Sequence, residues 1–473
     1  MNFNSIEFLI FFPVALIIYM ILSARQRQYF LLISSYIFYM YWKIEYSLLI
    51  LTSTAICYYA ARMMEEAPNK RKILLFVSIS TNLLILLFFK YFNFISETIH
   101  QIIHFGNSDR DPIVLKVLLP VGISFYTFQS LSYIIDVFRG HKKAEKDFIL
   151  FALFVSFFPQ LVAGPIEKST RLLPQLSNLE KVTFRNFTAG MRMVILGMFK
   201  KVVIADRLAI YVNEIFSTPK EFGSVHLIIA SYFFAIQIYC DFAGYSDIAV
   251  GTARIFGIHL IKNFNRPYFA SSLTDFWRRW HISLTSWFKD YLYIPIGGNR
   301  KSAFRTFANV LFVFIVSGLW HGAHLKFLLW GFFHGILQII DKIITGKGKD
   351  NKDEFMLLRI FRQFATFNIV ALLWIFFRAN SIQDAFIILK KIFCVSDLSI
   401  KNVFDSLGNY EAMIGIVSIG ILFILEFLQK DKDFIGYAST LPRVERWVLY
   451  YFLTISIIVF GVFGVTEFIY FQF

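Results

Sequence analysis

The sequence predicts an all-α protein, a polytopic bundle of about 11 transmembrane helices with additional re-entrant or interfacial helices. Two observations predict this fold class. Of 473 residues, 57% are hydrophobic and 17% are charged, against about 25% charged in a typical soluble domain. The mean hydropathy is +0.59. Polar side chains are therefore too few to cover a water-exposed surface, and much of the apolar surface must face lipid.

The membrane spans are predicted from uncharged runs. As helices that rise about 1.5 Å per residue, these runs are nearly as long as the hydrocarbon core is thick. Seven runs are clean, namely residues 8–24, 73–89, 148–166, 222–240, 306–325, 363–377 and 447–466. Less regular apolar stretches, some of which must be short, tilted or re-entrant, are residues 29–42, 46–63, 114–138, 187–216, 327–340 and 413–427.

The basic residues predict an orientation. The formal net charge of +15 is spread over short runs between apolar stretches, such as Arg25 with Arg27, residues 70–72 and residues 139–146. Two crossings separate each of these runs from the next, so the positive-inside rule places all three in the cytoplasm and the N-terminus outside. The first span lacks a preceding basic residue and a following cleavage site, and is predicted to stay uncleaved.

The sequence lacks the motifs of several common binding and catalytic sites. The chain has no zinc-finger spacing and no RNA-binding signature, so nucleic acid is not an expected partner. It has no glycine-rich phosphate loop, no G-x-S-x-G and no H-E-x-x-H. Its three cysteines, Cys57, Cys240 and Cys394, lie far apart and predict neither a disulfide framework nor a thiolate metal site.

Four regions follow from composition: N-terminal transmembrane helices (1–113), a core (114–341), a charged linker (342–354) and C-terminal transmembrane helices (355–473). No repeat of fixed period occurs, which counts against a secondary transporter.

Helix-breaking residues mark the core as the place to expect a site. Pro159, Gly164 with Pro165, Gly244 and Gly251 lie in apolar sequence and are expected to interrupt helices. Broken backbone at membrane depth is tolerated only where protein or a cavity satisfies its polar groups.

The first candidate site is residues 317–324, SGLWHGAH. Apolar surroundings favour the neutral imidazole, so His321 could accept a proton from a hydroxyl, and the flanking small residues would let a substrate approach. The alternative is a structural histidine that donates to a helix carbonyl. His324 lies one turn on, but no acidic residue or cysteine completes a metal site, and no metal is predicted.

The second candidate is residues 273–289, which helical spacing predicts to be one amphipathic helix. Its aromatic face includes Trp277 and Trp280, and its polar face includes Arg278 and Arg279. The simplest interpretation is an interfacial helix whose basic side meets lipid headgroups. His281 falls on the aromatic face, so it is predicted to point inward.

The third candidate is residues 239–247, YCDFAGYSD. Asp247 is predicted to cap a helix over residues 248–261, whereas Asp241 is closer to the apolar run and could bind a polar substrate.

An ordered series of motifs runs through about residues 115–335: GISFYTFQ (122–129), FPQLVAGPI (158–166), YCDFAGYSD (239–247), NFNRPY (263–268), DFWRRWHISLTSW (275–287) and GLWHG (318–322). The series resembles the membrane-bound O-acyltransferase (MBOAT) family. YLYIPIGGNR (291–300) resembles its bacterial alginate O-acetyltransferase branch. The teichoic acid D-alanyl transferases are similar through the DFxGYSD, FWxRWH and LWHG elements and stay an alternative.

The resemblance implies a multi-helix shell around a central tunnel that crosses the bacterial cytoplasmic (inner) membrane. His321 matches the family's catalytic histidine and His281 its second histidine. The resemblance also implies acyl transfer from a thioester to a hydroxyl. In this branch the family works with periplasmic proteins that finish acetylation of an exported polysaccharide.

The expected reaction takes acetyl-CoA as a cytoplasmic donor substrate, with no cofactor. His321 would act as general base, and His281 would orient it or polarise the donor carbonyl, while Asp241, Trp280 and Trp320 are predicted to contact substrate. Expected partners are membrane lipid, the thioester donor and periplasmic acetyltransferase or polysaccharide-modification proteins. The alternatives from other classes are a lipid-linked glycan transporter and a non-catalytic scaffold. Alginate, another exopolysaccharide, cellulose and peptidoglycan all stay open as acceptors.

Overall fold

The computed structural model describes residues 1–104, 111–115, 118–162, 164–345, 355–394, 403–404, 408–430, 432–464 and 468–469. These residues form helices and connecting loops, with no β-strand among them, which confirms the all-α prediction. The helices belong to two compact units, comprising Met1–Phe187, Thr252–Ile261 and Gly322–His324 in the first, and Thr188–Gly251, Lys262–His321 and Leu325–Phe473 in the second.

The first unit holds α1 (Ile6–Ile21), α2 (Ala24–Met40), α3 (Ser47–Glu66), α4 (Arg71–Leu86), α5 (Phe92–His104), α6 (Ile123–Phe138), α7 (Phe148–Ser156), α8 (Phe158–Leu161) and α9 (Ser169–Ser177). Short 3-10 or π segments are Ile44–Tyr46, Pro68–Lys70 and Leu87–Tyr91.

The second unit holds most of α10 (Phe184–Met198) and α12 (Ser224–Ile255), and all of α11 (Asp206–Ser217), α13 (Leu273–Arg279), α14 (Ile282–Phe288), α15 (Ala303–His321), α16 (Leu325–Thr345), α17 (Met356–Arg378), α18 (Ile382–Cys394), α19 (Asn409–Gln429), α20 (Phe434–Thr440) and α21 (Arg443–Phe460). Its short segments are Phe199–Ala205, Pro267–Phe269 and Lys289–Tyr293.

Seven helical stretches in the described part of the chain are long and apolar enough to cross a membrane: Ile44–Glu66, Pro68–Ile103, Ser224–Ile255, Ala303–His321, Leu325–Ile344, Met356–Arg378 and Asn409–Gln429. Many of their large apolar side chains face outward, as lipid-exposed surfaces require. Ser224–Ile255 differs, since 83% of its most apolar stretch is buried inside the protein. The prediction of about 11 spans stays a prediction.

The predicted helix break near Pro159 is confirmed in the first unit. Helix α7 ends at Ser156 and α8 starts two residues later, so residues 148–166 are not one continuous span. The break frees the Phe154 carbonyl, which accepts from the side-chain amides of Gln129 (2.6 Å) and Gln160 (2.8 Å). The Phe158 N–H donates to the Ser35 hydroxyl (3.0 Å). Protein groups thus satisfy the broken backbone, as burial away from water requires.

The predicted breaks at Gly244 and Gly251 are wrong, because α12 runs without interruption through both. These glycines instead allow close helix packing. A Cβ on Gly244 would lie 2.8 Å from the Gly197 carbonyl oxygen, and one on Gly251 would lie 2.6 Å from the Gly190 carbonyl oxygen. Small residues that let two backbones approach are typical of membrane helix pairs.

We expect Gly244→Ala to lower the free energy of unfolding by roughly 1–3 kcal/mol, because the added methyl meets backbone that cannot move aside. Thermal unfolding of the purified protein in detergent would measure the loss. Gly420→Ala in α19 is the matched control, since nothing lies within 4 Å of its added Cβ. Equal unfolding midpoints for the two variants would contradict the packing role of Gly244.

The first residues of the predicted linker (342–354) continue α16 to Thr345. The rest of the predicted linker lies outside the described residues. The region boundaries at 113 and 341 stay predictions.

Candidate active site

The structure brings His281 and His321 together on one indole ring in the second unit. The ring centroid of Trp320 lies 6.0 Å from that of His281 and 5.0 Å from that of His321. Both imidazoles are buried, with exposed fractions of 1% and 4%. Two histidines 40 positions apart in sequence therefore share a single aromatic cluster shielded from bulk water.

His321 is the last residue of α15, and its position depends on how tightly α15 and α16 pack. A Cβ on Gly318 would lie 2.1 Å from the Phe327 carbonyl oxygen. Gly318 therefore serves the helix contact, not the close substrate approach that the sequence predicted for it. The close packing brings Trp330 of α16 to 5.1 Å from His321, and Phe377 of α17 lies 5.3 Å away.

His281 lies at a break in the chain, so the prediction of one amphipathic helix over residues 273–289 is wrong. Helix α13 ends at Arg279, α14 begins at Ile282, and His281 between them has a left-handed backbone (φ 44°). A non-glycine residue seldom adopts this conformation unless its surroundings hold it.

The NFNRPY loop supplies that support. The Asn263 carbonyl accepts from the Ile282 N–H (2.9 Å), and its side-chain oxygen accepts from the Ser283 N–H (3.3 Å) and hydroxyl (2.6 Å). On the other side of His281, the Asn265 N–H donates to the Arg279 carbonyl (2.9 Å). Asn263 is thus a positioning residue for His281. Helical periodicity cannot predict these non-local hydrogen bonds. In the sequence, only the NFNRPY motif draws attention to Asn263.

Asn263→Leu is expected to lower the rate of acyl transfer by up to about 100-fold, since it removes the acceptor for two buried donors and frees His281 to shift. Initial rates at matched amounts of folded protein would measure the loss. Asn263→Asp retains an acceptor oxygen and should recover much of the rate. If both variants lose the same activity, the acceptor role of Asn263 is refuted.

Trp280 is buried in the aromatic core of the second unit, with ring contacts to Phe264 (5.0 Å), Trp374 (5.0 Å) and Phe276 (5.4 Å). This environment accounts for Trp280 as a packing residue. Of the two tryptophans predicted to contact substrate, Trp320 is the one whose ring lies against both histidines. The substrate contacts of both stay predictions.

Asp241 belongs to a buried charge network. Its carboxylate lies 2.6 Å from the Lys201 ammonium, which also lies 2.7 Å from Asp206, and all three side chains are at most 4% exposed. The second Asp241 oxygen accepts from the Ile469 N–H (2.8 Å). Because one oxygen pairs with the Lys201 ammonium and the other accepts from a backbone N–H, the geometry favours a structural role for Asp241 over substrate binding.

Asp247 does not cap a helix, which corrects the sequence prediction. It lies inside α12, and its carboxylate is 2.9 Å from the Lys200 ammonium. Lys200 and Lys201 both come from the π-helical segment Phe199–Ala205, a type of segment often found at functional sites.

No motif of the sequence analysis lies beyond residue 355, yet Phe468 lies beside the site. Its ring centroid is 4.5 Å from that of Tyr245 and 5.7 Å from that of Phe242. Phe242 in turn lies 4.7 Å from His281. Within the described part of the chain, no group of three or more histidine, cysteine or acidic side chains could hold a metal ion.

Known proteins similar to this chain point to one family. The model of MBOAT, the membrane-bound O-acyltransferase family, matches residues 37–382. The chain is 39% identical to a protein named probable alginate O-acetylase AlgI from Pseudomonas aeruginosa, over 81% of this chain and 73% of that protein. It is 34% identical to a peptidoglycan O-acetyltransferase from Helicobacter pylori, over 82% and 79% respectively. It is 28% identical to a teichoic acid D-alanyltransferase from Bacillus subtilis, over 46% and 58%. The chain therefore belongs to the membrane-bound O-acyltransferase family and is an integral, multi-pass membrane acyltransferase.

Proposed function

We propose that this chain passes an acetyl group from a cytoplasmic thioester, acetyl-CoA, across the bacterial cytoplasmic membrane for O-acetylation of an exported polysaccharide. The observation that carries the proposal is the pair of buried histidines, His281 and His321, on the Trp320 ring. The names of the relatives support acetyl as the acyl group and an alginate-like polysaccharide or peptidoglycan as the acceptor.

In the proposed mechanism, His321 removes the proton from the acceptor hydroxyl as its oxygen attacks the thioester carbonyl. Collapse of the tetrahedral intermediate breaks the carbon–sulfur bond, and the departing thiolate takes the proton back from the His321 imidazolium. Trp320, Trp330 and Phe377 surround the His321 imidazole with apolar rings. This environment favours the uncharged imidazole, which is the form that can accept the hydroxyl proton.

His281 would orient the reacting groups or polarise the donor carbonyl. The left-handed backbone of His281 and its contact with Phe242 keep the imidazole in one place. A fixed position suits a group that must hold one orientation relative to the substrate. Periplasmic acetyltransferase or polysaccharide-modification proteins would complete the transfer outside, with membrane lipid as the surrounding partner.

The alternatives have less support. The D-alanyltransferase relatives match about half of the chain, whereas the acetylase relatives match about four fifths at higher identity. A glycan transporter does not need a thioester donor, and its family would not be one of acyltransferases.

Proteoliposomes that contain the purified chain separate these activities. With labelled acetyl-CoA at the cytoplasmic face and a hydroxyl acceptor at the other, the proposal predicts release of free CoA thiol and label in the acceptor. A transporter would release no thiol, and a D-alanyltransferase would leave acetyl-CoA intact. Absence of thiol release, with protein shown to be folded, would refute the proposal.

A further inference from the structure

A polar cavity lies beside the NFNRPY loop, within the second unit and apart from the histidine pair. Its volume is about 50 Å³, and its lining includes Lys200, Asp247, Lys262, Arg266, Glu426 and Asp433. A buried site needs roughly 10–15 Å³ to hold one water, so this cavity has room for several waters or for one small anionic group. It lies close to solvent at one side, where the side chains of Lys262 and Asp433 are 49% and 37% exposed.

Most charges that line the cavity have partners in its wall. Lys200 pairs with Asp247 at 2.9 Å and Lys262 with Asp433 at 3.0 Å. Glu426 accepts from the Tyr239 hydroxyl. Lys432 adds a further positive charge at the rim, so the described lining carries four cations and three carboxylates.

The Arg266 guanidinium has hydrogen-bond donors to spare. Its Nη1 donates to the Glu426 backbone carbonyl (3.4 Å), and its buried Nε has no hydrogen-bond partner among the described residues. A guanidinium carries five N–H donors, and a buried donor without an acceptor is costly. The backbone of Arg266 is also left-handed (φ 48°), a rare conformation that persists only where the surrounding structure holds it.

The cavity is connected to the histidine pair through two ring contacts. Phe264, two residues before Arg266, lies 5.0 Å from Phe242, and Phe242 lies 4.7 Å from His281. The same loop supplies Asn263, which holds His281 in place. The cavity and the histidine pair thus share one loop and lie two ring contacts apart.

We infer that this cavity binds a phosphate group of the thioester donor, with the Arg266 guanidinium as its main hydrogen-bond donor. Acetyl-CoA carries its phosphates at one end of a long flexible arm and its thioester at the other, and guanidinium groups recognise phosphate by paired charge-assisted hydrogen bonds. The inference rests on the proposed function, because it takes acetyl-CoA as the donor.

The test compares acetyl-CoA with S-acetylpantetheine, a thioester that has the arm but no phosphate. Arg266→Asn removes the guanidinium while asparagine tolerates the left-handed backbone. We expect KM for acetyl-CoA to rise about 10- to 100-fold with little change in kcat, as loss of a charge-assisted hydrogen bond predicts, and KM for S-acetylpantetheine to stay constant. Arg278→Asn, at an exposed position on α13, makes the same charge change and should alter neither.

A second measurement needs no variant. Inorganic pyrophosphate should compete with acetyl-CoA on the unaltered chain and leave turnover of S-acetylpantetheine unaffected. Equal KM changes for both donors in Arg266→Asn, or no competition by pyrophosphate, would overturn the inference while the proposed function stands. If the unaltered chain turned over neither donor, the proposed function would fail first and the inference with it.

Discussion

Replacing His321 by alanine is expected to lower O-acetylation of the polysaccharide by about 10²–10⁴-fold, the usual contribution of a general base. The substitution removes the imidazole that contacts Trp320, Trp330 and Phe377. In the proposed mechanism, the acceptor hydroxyl then has no proton acceptor. The measurement is the acetyl content of the polymer from cells that carry equal amounts of each variant in their membranes.

His226→Ala is the control, because it removes another histidine, near the start of α12, whose ring lies 5.7 Å from that of Phe222. It should leave acetylation at the level of the unaltered chain. A scaffold role for the protein makes the opposite prediction for the test variant: His321→Ala would acetylate normally and only deletion of the chain would abolish acetylation.

The second large effect concerns stability. Lys201→Met should lower the free energy of unfolding by roughly 3–5 kcal/mol, because it leaves Asp206 and Asp241 buried with their shared cation removed. Thermal unfolding in detergent would show the loss as a lower midpoint. Some activity should disappear as well, since Asp241 is adjacent to Phe242, which packs against His281.

A compensated variant makes this prediction specific to charge. Lys201→Met combined with Asp206→Asn and Asp241→Asn removes all three charges at once, and replacing a whole buried ion network often costs less than removing one partner. The triple variant should therefore unfold at a higher temperature than Lys201→Met alone. A triple variant less stable than the single one would show that the shapes of these side chains, not their charges, set the cost.

Local sequence patterns predicted the helices of this fold, but they could not predict contacts between residues that are far apart in sequence. Uncharged runs mark helices locally, so the apolar helices lie close to where they were predicted; α15, for example, covers Ala303–His321 against a predicted span of 306–325. Glycines inside such runs are ambiguous. Gly244 lies in an unbroken helix and packs against Gly197, a neighbour that is far away in sequence.

The site shows the same limit. Helical periodicity placed His281 inward, and the side chain is indeed buried, but the continuous helix behind that argument does not exist. Its turn depends on bonds from Asn263, which no local pattern could reveal. Asp247 was assigned to a helix end because a glycine precedes it, and the long-range pair with Lys200 accounts for it instead.

We propose that His321 carries the proton transfer between the acceptor hydroxyl and the thioester. The most direct measurement is the initial rate of thiol release from acetyl-CoA in the presence of a hydroxyl acceptor, by the purified chain in lipid nanodiscs, for the unaltered protein and His321→Ala. We predict a fall of at least about 100-fold in kcat, with donor binding retained. Equal rates for the two proteins, with both shown to be folded, would contradict the claim.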